Sequence, residues 1–124
     1  MEIIILEKVN NMVYVQSDFG LFYGVWCSED PQKNKKYHVE LDIDQSLTCD
    51  DIEMLNFSVP HIEYVEGKVS IFGLIEEVED NIIFLRLNKS IIMFQVSSQV
   101  TPMNYVGHYV RLEVKEIKLF DIGI

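Results

Sequence analysis

Apolar and polar residues alternate or cluster along this chain in short bursts, and hardly any stretch carries a helical period. Residues 3 to 9 are a nearly continuous apolar run, Asn10-Asn11 offers two residues that tolerate positive φ, and Met12 to Val15 resumes an apolar, β-branched and aromatic stretch. This pattern predicts a hairpin. Asp18-Phe19-Gly20 marks the next turn, and Leu21 to Cys27 forms a third strand rich in aromatics. After the polar loop Glu29 to Lys36, the segment Tyr37 to Ile43 alternates with period two. Val39, Leu41 and Ile43 are expected inward, and His38, Glu40, Asp42 and Asp44 outward.

The order repeats. Lys8 to Val15 resembles Glu77 to Leu85 with one inserted residue, Leu21-Phe22-Tyr23 falls opposite Ile91-Ile92-Met93, and Val39 to Ile43 matches Val110 to Val114. The chain therefore reads as one domain over residues 1–124. Its half-repeats, 1–45 and 67–124, are joined by residues 46–66. The joining segment holds the only helix candidate, Thr48 to Leu55, where Thr48 and Asp51 make a weak capping box. The last strand, Tyr109 to Ile122, changes phase at Lys115-Glu116, which implies a bulge or bend. The expected fold is all-β: a small barrel, or two packed barrel-like sheets, with at most one short helix. In the second half, the long first strand opening at Gly67-Lys68-Val69, the hairpin, the loop Ser97 to Tyr105 and the bent last strand loosely resemble an OB-fold barrel. No motif accompanies that resemblance, so no function is transferred from it.

Composition narrows the function classes. With 48% hydrophobic and 24% charged residues, the chain is of packed-domain character. The apolar run in MEIIILEK lacks a basic leader and a cleavage site, and no stretch reaches membrane-spanning length. Two cysteines, Cys27 and Cys49, without a CxxC pair, suit reduced thiols in a cytoplasmic protein, and both are expected to act as small buried hydrophobes. The formal charge of −10 repels phosphate backbones and makes nucleic acid a poor default partner. Eight acids and no Lys or Arg lie between Tyr37 and Gly67, leaving that field uncompensated locally.

The chemistry-bearing residues are sparse. His38, His61 and His108 stand at no metal-ligand spacing, and no Walker loop, GxGxxG, GxSxG or HExxH occurs. Neither a metal, a cofactor nor a catalytic group is expected. The strand Leu21 to Cys27 is apolar on both faces. Leu21, Tyr23, Val25 and Cys27 can fill the core, and Phe22 and Trp26 are then either buried under the short helix or exposed as an aromatic contact patch. The acids Glu40, Asp42 and Asp44, with Asp50, Asp51 and Glu53 beside them in sequence, are the expected partner-binding surface. The expected function is a non-enzymatic acidic binding protein, a cytoplasmic inhibitor of the immunity type acting on a basic partner such as a nuclease toxin. The alternative is an OB-like accessory module for a ligand or oligonucleotide, whose aromatics would stack bases.

Overall fold

The computed structural model describes residues 1–123 and is almost entirely β-sheet. Strands β1 (Glu2–Val9), β2 (Met12–Ser17), β3 (Gly20–Trp26) and β4 (Lys36–Asp42) come first. Strands β5 (Ile52–Leu55) and β6 (His61–Val65) follow, then β7 (Lys68–Glu79), β8 (Ile82–Leu87), β9 (Ser90–Gln95), β10 (Tyr109–Val114) and β11 (Lys118–Asp121). The order β1-β2-β3-β11-β4 closes into a barrel, with β11 parallel to β3. This is the Greek-key order of an OB-like barrel. A six-stranded second sheet runs β5-β10-β7-β8-β9, with β6 added on β7.

The helix expected over Thr48 to Leu55 is instead a single 3-10 turn, Cys49–Asp51, followed by β5. Thr48 and Asp51 do form the capping box, the Asp51 carboxylate accepting the Thr48 backbone N–H at 2.8 Å. Ile52 then turns inward to meet Leu112 across β10, and strand pairing outweighs the propensity of a seven-residue helical stretch.

The β1–β2–β3 and β7–β8–β9 ladders share one register at a fixed offset. A β-bulge lies between Ile5 and Glu7 in the β1–β2 ladder and another between Ile75 and Glu77 in the β7–β8 ladder, seventy residues on with no insertion. Buried Ile3, Ile5, Val13, Val15, Phe22, Gly24 and Trp26 correspond at that offset to buried Gly73, Ile75, Ile83, Leu85, Ile92, Phe94 and Val96. Large faces small at two of these pairs, so the interiors differ in shape while the register is kept. The fourth strands align two residues away from the sequence-based match: Tyr37 pairs with Ile3 as Val110 pairs with Gly73. Alternation alone could not detect a slip of two, because it preserves the inward phase.

Each half is completed by the other. The phase change at Lys115-Glu116 is a crossover, not a bulge: β10 belongs to the second sheet, and β11 enters the first barrel between β3 and β4. Reciprocally, β4 leads into residue 47, which bridges Val96 in parallel, and into β5, which pairs with β10. The crossovers meet where Gln45 Oε1 accepts the Lys115 N–H at 3.1 Å. The OB-like pattern expected of the second half alone thus belongs to both halves, and buried side chains from both form one continuous core. Gly20, at φ +132°, admits the carbonyl of Ile62 from β6 where any Cβ would collide with it.

In the β1–β2 turn only Asn10 is left-handed, at φ 57°, whereas the sequence pattern allowed positive φ at both residues. Asp80 repeats it at φ 55°. Asn10→Val is expected to cost about 1–2 kcal/mol, the penalty for a β-carbon in that region, and Asn11→Val close to nothing. Urea midpoints of the two variants check this, and equal midpoints would remove the one-residue turn constraint.

Candidate functional site

β4 alternates as its sequence demands: Val39, Leu41 and Ile43 are buried, Glu40, Asp42 and Asp44 are exposed, and His38 is half-buried. Antiparallel pairing sets Phe120 of β11 opposite Glu40 and Lys118 opposite Asp42. On the other flank, β9 turns Ile91 and Met93 outward, each nearly half exposed. Three adjoining clefts result. One of about 310 Å³ lies between Asp42, Asp44, Ile82 and Met93, and one of about 290 Å³ between Glu40, Asp42, Met93 and Phe120. A third, of about 260 Å³, lies between Glu40, Met1, Lys89, Ile91 and Ile122. The surface is a groove at the junction of the two halves, with apolar walls from β9 and β11 and a carboxylate rim from β4.

The rim is not uniform. Lys118 Nζ pairs with the Asp44 carboxylate, which lowers the Asp44 pKa and raises that of Lys118. Partial desolvation raises the pKa of Asp42, and the neighbouring Asp44 carboxylate raises it further. Asp44 is therefore locally neutralised, and the expectation of an uncompensated field is corrected there. Glu40 and Asp42 carry the remaining rim charge, with no ion pair of their own among the described residues.

The other acids singled out from the sequence do not join this groove. Asp51 caps the 3-10 turn, Asp50 is exposed within that turn, and Glu53 sits opposite Arg111 across the β5–β10 ladder. None of the three lines any of the clefts described. Neither do Phe22 and Trp26, and as contact residues they are corrected outright: Phe22 is 0% and Trp26 7% exposed. The inward face of β3 is the one carrying Phe22, Gly24 and Trp26, while Leu21 and Cys27 are exposed. The 3-10 turn does not cover them. Trp26 packs edge-on against Tyr37 at 5.0 Å between ring centroids, and its Nε1–H donates to the Glu29 carbonyl. Both cysteines are exposed and free, against the expectation of buried ones.

Sequence reasoning missed the apolar walls, Ile91, Met93, Phe120 and Ile122. The signal was the unbroken run Ile91-Ile92-Met93-Phe94, apolar on both faces of a strand. A second feature is aromatic: half-buried Tyr23 packs tilted against half-buried Tyr14 and edge-on against exposed Tyr64, in a tyrosine ladder with centroids 4.5 and 4.9 Å apart. Among the described residues no group of three His, Cys, Asp or Glu converges to hold a metal ion, and no helix is long and apolar enough to cross a membrane. The chain matches no family model, no curated protein and no solved structure.

Proposed function

We propose that this chain is a non-catalytic binding protein that docks a basic protein in the β4–β9 groove, as a cytoplasmic inhibitor of the immunity type does against a basic toxin such as a nuclease. The observation that carries the proposal is the coincidence of rim and wall: Glu40 and Asp42 border the same cleft as exposed Met93 and Phe120. An apolar centre with a charged margin is the anatomy of a protein interface, where burial supplies affinity and charge supplies steering. The free, exposed thiols of Cys27 and Cys49 suit a reducing compartment.

The test uses Glu40→Lys/Asp42→Lys and leaves Asp44 in place, because Lys118 depends on it. Association with a basic partner isolated from the native host is expected to slow by about ten- to a thousand-fold. The wild-type rate is expected to fall steeply with salt, as steering acts over distances that ions screen. An unchanged, salt-independent rate in the double variant removes the proposal's support.

The OB-like strand order and the tyrosine ladder favour a second reading, an oligonucleotide-binding module. Against it, the tyrosine rings already pack against one another, and the chain carries a charge of −10. Fluorescence titration with single-stranded DNA at low salt separates the two readings, and tight, salt-sensitive binding would reverse their order.

A further inference from the structure

We infer that this protein pairs with a second copy of itself along the open edge of β5, at an uncharged end of the molecule. The surface is separate from the groove proposed above, and none of its residues lines the clefts there. The first observation is where charge is missing. Acids outnumber Lys and Arg twenty to ten in the chain, yet residues 54–62 and 96–110 contain no Asp, Glu, Lys or Arg. Those segments carry Phe57, Val59 and Met103, the three most exposed large apolar residues among those described, at 71%, 64% and 64%. The segments meet at the start of β10: Phe57 packs on Tyr109 with ring centroids 5.5 Å apart, and the 3-10 turn Pro102–Tyr105 runs into Tyr109 through Gly107 and His108.

The second observation is an unused strand edge. β5 pairs with β10 and, among the described residues, with no other strand. The Ile75 N–H donates to the His108 carbonyl at 3.0 Å, which sets the phase of the β7–β10 ladder: His108, Val110 and Leu112 direct their backbone groups to β7, and Tyr109 and Arg111 direct theirs to β5. On β5 the bonded residues are therefore Leu55 and Glu53, and Met54 between them turns its N–H and C=O to the open edge. Met54 is itself 48% exposed.

Charge and backbone together select the occupant. An open edge is a template for another strand, and copies of a chain of charge −10 repel one another except where neither presents an unbalanced acid. This end meets that condition. Its bordering charges come in opposite pairs, Glu53 across from Arg111 and Glu76 bonded to Arg86. A two-fold axis at Met54 sets the two β5 strands antiparallel, with Met54 against its own copy and Glu53 against the copy's Leu55. Asp51 then falls opposite the copy's Phe57, whereas an in-register parallel pairing would set like acids side by side. On the outer face the row Tyr109–Leu55 continues into Glu53 and Arg111 of the second copy, so the two sheets join without a break.

Sedimentation equilibrium of the full chain tests this. The average mass is expected to rise from 14.5 kDa toward twice that value between micromolar and millimolar concentration. Met54→Pro removes an N–H that faces the open edge, so it should leave the melting temperature of the monomer nearly unchanged and abolish the rise. Phe57→Glu, at an exposed position, should abolish it by placing charge in the contact. In a Cys27→Ser/Cys49→Ser background, Met54→Cys is expected to oxidise to a covalent dimer, since bonded residues directly opposite in an antiparallel pair lie about 5.5 Å apart at Cα, within disulfide range. Leu21→Cys, away from this end, should stay largely unlinked. A chain that remains monomeric overturns the inference, as does a dimer that Met54→Pro or Phe57→Glu leaves intact or that Met54→Cys does not trap. Cosedimentation of a monomer with phosphatidylcholine vesicles would assign the apolar end to lipid and overturn it too.

Discussion

A chain terminated after Glu116 is expected to lose the cooperative fold of both halves, not merely a frayed end. The missing segment holds Ile117 and Leu119, each 0% exposed, and the strand that links β3 to β4. Removing the burial of two large aliphatic side chains costs about 3–6 kcal/mol, against a typical domain stability of about 5–15 kcal/mol. The loss also strips backbone partners: Val25 N–H donates to the Ile117 carbonyl at 2.8 Å and Cys27 N–H to the Leu119 carbonyl at 2.9 Å. Gly24 compounds the effect, because its missing side chain is the space that Leu119 occupies. Trp26, the sole tryptophan, lies beside Leu119 in the parallel ladder, so its emission should move to the red as the barrel opens. Adding a peptide of residues 115–123 in trans should restore part of the blue-shifted signal. A truncated chain with the wild-type melting curve and emission would show that the exchanged strand contributes nothing.

Phe22→Ala is expected to destabilise the protein by about 3–5 kcal/mol, whereas Leu21→Ala, one residue away, should cost under about 1 kcal/mol. Phe22 is wholly buried in the shared core and Leu21 is 44% exposed. Trp26→Ala belongs with Phe22, since it removes both an indole packed on Tyr37 and the donor to the Glu29 carbonyl. Chemical denaturation of the three variants reads out which face of β3 is inward. Similar losses for Leu21→Ala and Phe22→Ala would contradict the observed facing of the strand.

That facing was the part of the fold least legible in the sequence. β3 is apolar on both sides because Tyr23 is wedged between Tyr14 and Tyr64 on the outer face while Phe22 fills the core, and a period of two cannot choose between two apolar rows. β4 was legible because its outer row is polar throughout, and Glu40, Asp42 and Asp44 lie where alternation puts them. The site was half legible. Its rim follows from β4 alone, but its walls come from β9 and β11, and no local pattern reveals that β11 leaves β10 for the other half. The acids Asp50, Asp51 and Glu53 are near Glu40 in sequence and apart from the groove for the same reason: the chain crosses between halves at residues 43–51.

The reciprocal exchange of β5 and β11 also fixes an order of events during synthesis. A ribosome delivering about 5–20 residues per second produces β1 to β4 well before β11 exists. Those four strands cannot close, because the gap between β3 and β4 belongs to β11, so two strand edges stay unpaired until β11 has emerged. Exposed edges of this kind are templates for pairing with other nascent chains. The second half suffers less, for β5 is already made when β10 appears. Maturation thus runs against the direction of translation, the carboxyl-terminal half assembling first and the amino-terminal half sealing last.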